Sequence, residues 1–366
     1  MTIIDEVETA RHDIRTDDYP MSIGEWISIY EGGDLDIHPE FQRFYRWSEQ
    51  QKSNLIESIL LGIPLPPIFV SQRKDGVWDV IDGLQRLSTL FQFVGILTDE
   101  QKAAVPPLKL RETLYLPSLK DKLWNSDDPN IVIPDELKRI IKRSKIHVSI
   151  VLKESDENTK YDLFQRLNTG GSQLSPQEVR NCILVMVNKD FYLWLNDLTK
   201  SEQFQETLSL SDKPLAEAYD TEQVLRFLIL EKATDDELAS VGDVGVYLNT
   251  KMVELAKDTT FDRDSWKKLF EETFALLQEH MGDKAFKRFS VAKGRHEGGF
   301  LVSQFEAVAC GVAWNLENGT LRTDIAEAIA GIWSEPEFTD WTGSGVTAAR
   351  RLRRIIPFAR QHFSAP

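Results

Sequence analysis

Between Trp47 and Val94 the spacing of apolar positions changes twice, and each change marks an element. Leu55, Ile56, Ile59 and Leu60 recur at helical spacing behind Ser48, and Gln51 stands at the third helical position, so a capping box opens a helix over Glu49 to Leu61. Gly62 stops it before PLPP. IFVSQ and VWDVID are short β-branched and aromatic runs joined by RKDG, where Asp75-Gly76 predicts a tight hairpin turn. Past Asp82 and Gly83 the period returns to 3.6, with Leu87, Leu90, Phe91 and Val94 on one face. A strand therefore runs straight into a helix N-terminus.

Elsewhere the pattern is read the same way. Residues 1–20 are polar and patternless and predict a tail or a strap laid over the domain. PDELKRIIKRSK predicts a helix, IHVSIVL a strand, and DENTKYDLFQRLN a helix ended by Gly170 and Gly171. SPQEVRN has Ser175 as N-cap, Pro176 at the first helical position and Glu178 at the third, so Glu178, Arg180 and Asn181 read as cap and support. From residue 190 onward nearly every segment carries apolar spacing of three and four, without a repeat period. The expected fold class is α+β: a domain over 21–195 with a small sheet and helices, then an all-helical domain over 196–366.

With 366 residues, 42% of them hydrophobic, the chain can bury a sizeable core. Its 43 basic and 58 acidic residues give a net charge of −15, so the molecule as a whole repels a phosphate backbone or an anionic membrane, and any nucleic-acid contact must be local. Cys182 and Cys310 lie far apart with no metal-ligand spacing, and both read as reduced and buried. No apolar run is long enough to span a membrane and no leader pattern opens the chain; the expected compartment is cytoplasmic, with no membrane partner.

The candidate chemistry sits at IDGLQR. Gly83 permits close backbone approach, and the N–H groups of the following helix point outward beside Gln85 and Arg86, which suits a phosphate. Asp82 has two roles open to it: holding Mg²⁺ or fixing the arginine. The plainer alternative for Arg86 is an ordinary ion pair with Asp82 or Glu57. Arg73, in the hairpin turn, reads as solvated.

IHPEFQRFYRW, the following helix, SILLGIPLPPIFV, the hairpin, DGLQRLSTL and then LFQRLNTGGSQLSPQEVRN together resemble, in order, the GmrS-like N-terminal domain of the GmrSD restriction family, known by its DGQQR motif. That domain belongs to the ParB and sulfiredoxin superfamily. The resemblance implies a ParB-like nucleotide-binding domain in which Asp82, Gly83, Gln85 and Arg86 match DGQQR, Gln42, Arg43 and Arg46 converge on the pocket, and Arg166 and Asn168 line its far wall. It implies a bound NTP with Mg²⁺ at Asp82, catalytic roles for Asp82, Gln85 and Arg86, and membership of a bacterial restriction or anti-phage defence system. Leu84 departs from the family's glutamine: if that glutamine positions a water or a base, hydrolysis is slower here than binding, whereas an apolar residue that merely packs is harmless. Sulfiredoxin chemistry is excluded because the turn holds no cysteine.

The six histidines are dispersed and form no His-Asn-His nuclease grouping. Two basic stretches stand out, Lys284 to His296 and Ala349 to His362, and the last 26 residues hold five arginines and no acid. Arg350, Arg351, Arg353, Arg354 and Arg360 are candidates for phosphate contact with DNA or RNA; the alternative for Arg351 and Arg354 is ion pairing with the acidic N-terminal domain. Trp333 and Trp341 read as core and turn residues. The expected function is an NTP-binding, NTP-hydrolysing defence component acting with DNA or a separately encoded nuclease subunit; the rivals are a non-hydrolysing nucleotide switch and a metal-dependent nuclease working through the ParB-like pocket.

Overall fold

A computed structural model describes residues 2–3, 15–37, 47–99, 102–152, 175–343 and 345–365, and divides the chain into two compact units, Met1–Gln173 and Leu174–Pro366. The expected helix ending at Gly170, the first basic block with Gln42, Arg43 and Arg46, and the second block with Arg166 and Asn168 lie outside the described residues.

The first unit runs β1 (Thr16–Ser22), α1 (Ile23–Gly32), β2 (Leu35–Asp36), α2 (Glu49–Leu60), β3 (Ile68–Gln72), β4 (Trp78–Asp82), α3 (Leu84–Val94), α4 (Asp135–Arg143) and β5 (Lys145–Val151). Its sheet is mixed, in the order β1-β5-β3-β4-β2. β3 and β4 form the expected hairpin, β5 lies parallel to β3 with Ile68 opposite Val148, and β2 lies parallel to β4. β1 closes one edge antiparallel to β5, Thr16 opposite Val151 and Ser22 opposite Lys145. Five residues expected in the tail, Thr16 to Pro20, are thus sheet residues. Their polarity is that of an edge strand, where Pro20 is tolerated because, among the described residues, one row of backbone groups has no neighbouring strand to bond.

The Ser48 capping box forms as expected, with Ser48 Oγ accepting from Gln51 N and Gln51 Oε1 accepting from Ser48 N at 2.9 Å. Ile56, Ile68, Val70, Leu87, Leu90, Phe91 and Val148 form a fully buried core between helices and sheet, and Tyr30 stacks on Phe91 at 4.2 Å. Arg73 is not a solvated turn residue. Its Nε donates to Asp79 Oδ2 at 2.8 Å and its Nη2 to Asp36 Oδ2 at 2.7 Å, and Asp79 is 1% exposed. Burial would lower the Arg73 pKa, but the two carboxylates more than reverse this and hold it above its ordinary value. The guanidinium ties the last short strand, β2, to the hairpin, supplying the counter-charge without which buried Asp79 would be costly.

The second unit is helical with one exception. Its helices are α5 (Pro176–Leu198), α6 (Glu202–Leu208), α7 (Asp212–Ala216), α8 (Tyr219–Glu231), α9 (Asp235–Ser240), α10 (Val244–Lys257), α11 (Arg263–Met281), α12 (Val302–Glu317), α13 (Ile325–Gly331), α14 (Pro336–Trp341) and α15 (Ala348–His362). The exception is a two-stranded hairpin, β6 (Lys287–Ser290) and β7 (Arg295–Phe300), so the unit is not all-helical as expected. Its strands carry lysine, arginine and glycine where an apolar alternation would have signalled them, and only the turn at Gly294, with φ 61°, has a recognisable residue. The unit's start at Leu174 places the whole of α5 here, upstream of the boundary expected at 195.

The Ser175 capping box opens α5 with Glu178 Oε2 accepting from Ser175 N at 2.6 Å. α12 and α15 approach closely because residue 311 is glycine: a Cβ there would meet Ala359 O at 2.9 Å and Phe363 Cδ2 at 2.7 Å. Cys182 and Cys310 are buried, as expected, and form no disulfide with each other. Among the described residues no helix is long and apolar enough to cross a membrane.

A chain of buried ion pairs links four helices. Arg180 Nη1 donates to Glu222 Oε2 at 3.0 Å, Arg226 Nη2 to Glu222 Oε1 at 2.8 Å, Arg226 Nη1 to Glu306 Oε1 at 2.6 Å, and Arg351 Nη2 pairs with Glu306 Oε2 at 2.9 Å. Burial would raise the Glu222 pKa, yet Arg226 and Arg180 hold it below the usual carboxylate range. The same logic, reversed in sign, keeps Arg226 charged between Glu306 and Glu222.

Candidate functional site

β4 ends at Asp82, and Gly83 turns the chain into α3 with φ 101°, a left-handed conformation that disfavours any residue with a Cβ. The turn is also sterically closed: a Cβ on Gly83 would run into Ile68 Cδ1. Gly83 is itself the N-cap, and no side chain caps the helix, so its first amides are left to the backbone's surroundings. The positive end of the α3 dipole lies there.

Arg86 is buried and faces inward. Its Nη1 donates to the carbonyls of Pro66 and Pro67, the latter at 3.1 Å, and its Nη2 pairs with Asp82 Oδ2 at 3.0 Å. Burial pulls the Arg86 pKa below its ordinary value and Asp82 opposes this. Of the two roles open to Asp82, fixing the arginine is the one this geometry displays. Glu57, the other partner considered for Arg86, is occupied elsewhere, accepting from Tyr115 N at 2.8 Å and Leu116 N at 2.9 Å. Burial raises its pKa, and bonds from Thr113, Tyr115 and Leu116 outweigh that, leaving it low.

Gln85 Oε1 accepts from Trp47 N at 3.3 Å, which ties the first turn of α3 to the residue that follows Arg46 in the sequence. This backbone link carries no sequence signal, since a main-chain donor has no identity to read. Leu84 is half-buried and packs against the core.

Among the described residues no group of three histidine, cysteine or acidic side chains could hold a metal. Asp82 alone supplies one carboxylate, which fits Mg²⁺ only where phosphate and water oxygens complete the shell.

In the second unit the candidate arginines separate. Arg350, Arg353 and Arg354 are exposed, whereas Arg351 turns to Glu306 within its own unit. Trp341 is half-buried and stands beside Arg354, whose Cζ lies 6.0 Å from the ring centroid. Trp333 donates Nε1–H to Gln304 Oε1 at 2.9 Å and is a packing residue, as expected.

Residues 23–185 match the family model described as GmrSD restriction endonuclease, N-terminal domain. No curated protein and no solved structure matches the chain.

Proposed function

We propose a function from one premise: residues 23–185 are an N-terminal domain of the GmrSD restriction endonuclease family. The chain is a nucleotide-binding component of a restriction or anti-phage defence system, with a ParB/sulfiredoxin-like first unit, and acts with DNA or a separate nuclease subunit. The observation that supports the nucleotide reading is the Asp82–Gly83 turn, where a helix begins without a side-chain cap beside a buried arginine.

In this reading the phosphates of an NTP lie on the first amides of α3, with Arg43, Arg46 and Arg166 as further cations, and Gln42 and Asn168 beside the base or ribose. Arg86 holds the Pro66–Pro67 loop against the turn. A phosphate arriving at Nη2 competes with Asp82, and the displaced carboxylate becomes a ligand for Mg²⁺ carried by the nucleotide. In hydrolysis, water adds to the γ-phosphorus as the bond to the β-phosphate oxygen breaks, its proton passing to the released phosphate, and this reading gives Gln85 the role of orienting that water. Leu84 carries no polar group to position a water where the family's motif has glutamine, and on that ground binding is ahead of turnover.

The test is calorimetric titration of ATP, GTP and CTP with Mg²⁺ into the full chain, with phosphate release followed on the same samples. Arg166→Ala and Asp82→Asn should each weaken binding by about tenfold or more, the loss of one charge-assisted contact. Binding without phosphate release would favour the switch over the NTPase. No binding of any of the three would remove the nucleotide reading.

A further inference from the structure

α15 begins with an arrangement that is unfavourable in isolation. Arg350 lies in its first turn and Arg353 and Arg354 follow at three and four residues, so three like charges share one face near the positive end of the helix dipole. None of the three has a carboxylate within ion-pair distance among the described residues. Arg353 Nη2 donates to Val241 O at 2.6 Å, and Arg354 faces only the Trp341 ring. Arg73, Arg86, Arg180, Arg226 and Arg351, by contrast, are each paired with an aspartate or glutamate.

The three guanidiniums line a cleft of about 280 Å³ whose other walls are Asp340, Trp341 and Val346. The cleft therefore holds three cations against one acid, with an aromatic ring at its side. That composition suits phosphate oxygens on the guanidinium forks and a flat group against the indole.

We propose that this cleft is a phosphate-binding site of the helical unit, taking the phosphates of a nucleotide or of a DNA strand. Arg350 and Arg354 fork the phosphate, Arg353 holds the cleft's wall through Val241, and Trp341 packs against the base. Arg351, inseparable from its neighbours in sequence, takes no part because its charge is spent on Glu306. The proposal stands apart from the nucleotide reading of the Asp82–Gly83 turn.

The experiment compares the full wild-type chain with Arg350→Gln/Arg354→Gln, two exposed positions whose replacement leaves every ion pair in place. Pyrophosphate and ATP are titrated by calorimetry, and labelled single-stranded and duplex DNA by fluorescence anisotropy over a series of salt concentrations. The expected result is loss of at least tenfold in affinity for one of these probes. If the source is duplex DNA, the log–log salt slope should also fall by about two, close to one per lost phosphate contact. Wild-type DNA binding by Arg166→Ala, the variant expected to weaken nucleotide binding at the Asp82–Gly83 turn, would keep the two sites distinct. Equal binding by wild type and the double variant, or no binding of any probe at low salt, overturns the proposal.

Discussion

Glu306→Gln should weaken the second unit by about 3–5 kcal/mol, the range for removing one partner of a buried pair. Glu306 is 0% exposed and accepts from Arg226 on one oxygen and Arg351 on the other. The variant keeps the shape but leaves two buried guanidiniums sharing a neutral amide, and only Arg226 retains a second carboxylate, Glu222. A single global unfolding energy is ill-defined for a chain of two units, so the readout is hydrogen exchange in Tyr219–Glu231, which should lose protection by at least about a hundredfold. Adding Arg351→Met to Glu306→Leu should recover part of it, because the orphaned charge is removed with its partner. Protection equal to wild type in Glu306→Gln would show that the chain of ion pairs contributes nothing to the packing of α8, α12 and α15.

Glu231→Gln should do the opposite, and only at high pH. Glu231 is fully buried with no hydrogen-bond partner for either carboxyl oxygen among the described residues. Burial first, and Glu317 after it, push its pKa up to about 7 against the pull of Lys232 and Arg360, and the Cys310 thiol nearby is raised by the same burial. Because the folded value lies above the unfolded one, the group's stabilisation is complete below about pH 4.5 and is lost as pH rises through about 7. A shift of this size corresponds to at most about 3 kcal/mol. Thermal unfolding at about pH 8 should therefore show the glutamine variant more stable than wild type, while at about pH 5 the two should coincide. A difference independent of pH would mean that Glu231 does not titrate in this range.

What could be read from the sequence is what is local. The Ser48–Gln51 and Ser175–Glu178 capping boxes, the Asp75-Gly76 hairpin and the passage from Asp82 through Gly83 into α3 are each written within a few residues, and all are present. The ion-pair chain could not be read, because Arg180, Glu222, Arg226, Glu306 and Arg351 come from helices brought together only by packing. The pairing of Arg73 is hidden for the same reason: its partners Asp36 and Asp79 lie on a short parallel strand and a hairpin strand whose pairing no local pattern announces. Arg350 to Arg354 looked alike as a basic run, and only the phase of α15 sorts Arg351 inward from the three that face the cleft. At the turn itself, the residue types pointed to an anion, while the inward aim of Arg86 toward two proline carbonyls depends on where the PLPP loop is folded.

The most direct test of the nucleotide site is hydrogen exchange at the amides of residues 83–87, with and without saturating Mg²⁺-NTP. The account predicts that exchange there slows by about tenfold or more when phosphate caps the helix, with little change in α10. Unchanged exchange at these amides while nucleotide is demonstrably bound would place the nucleotide elsewhere and contradict the account.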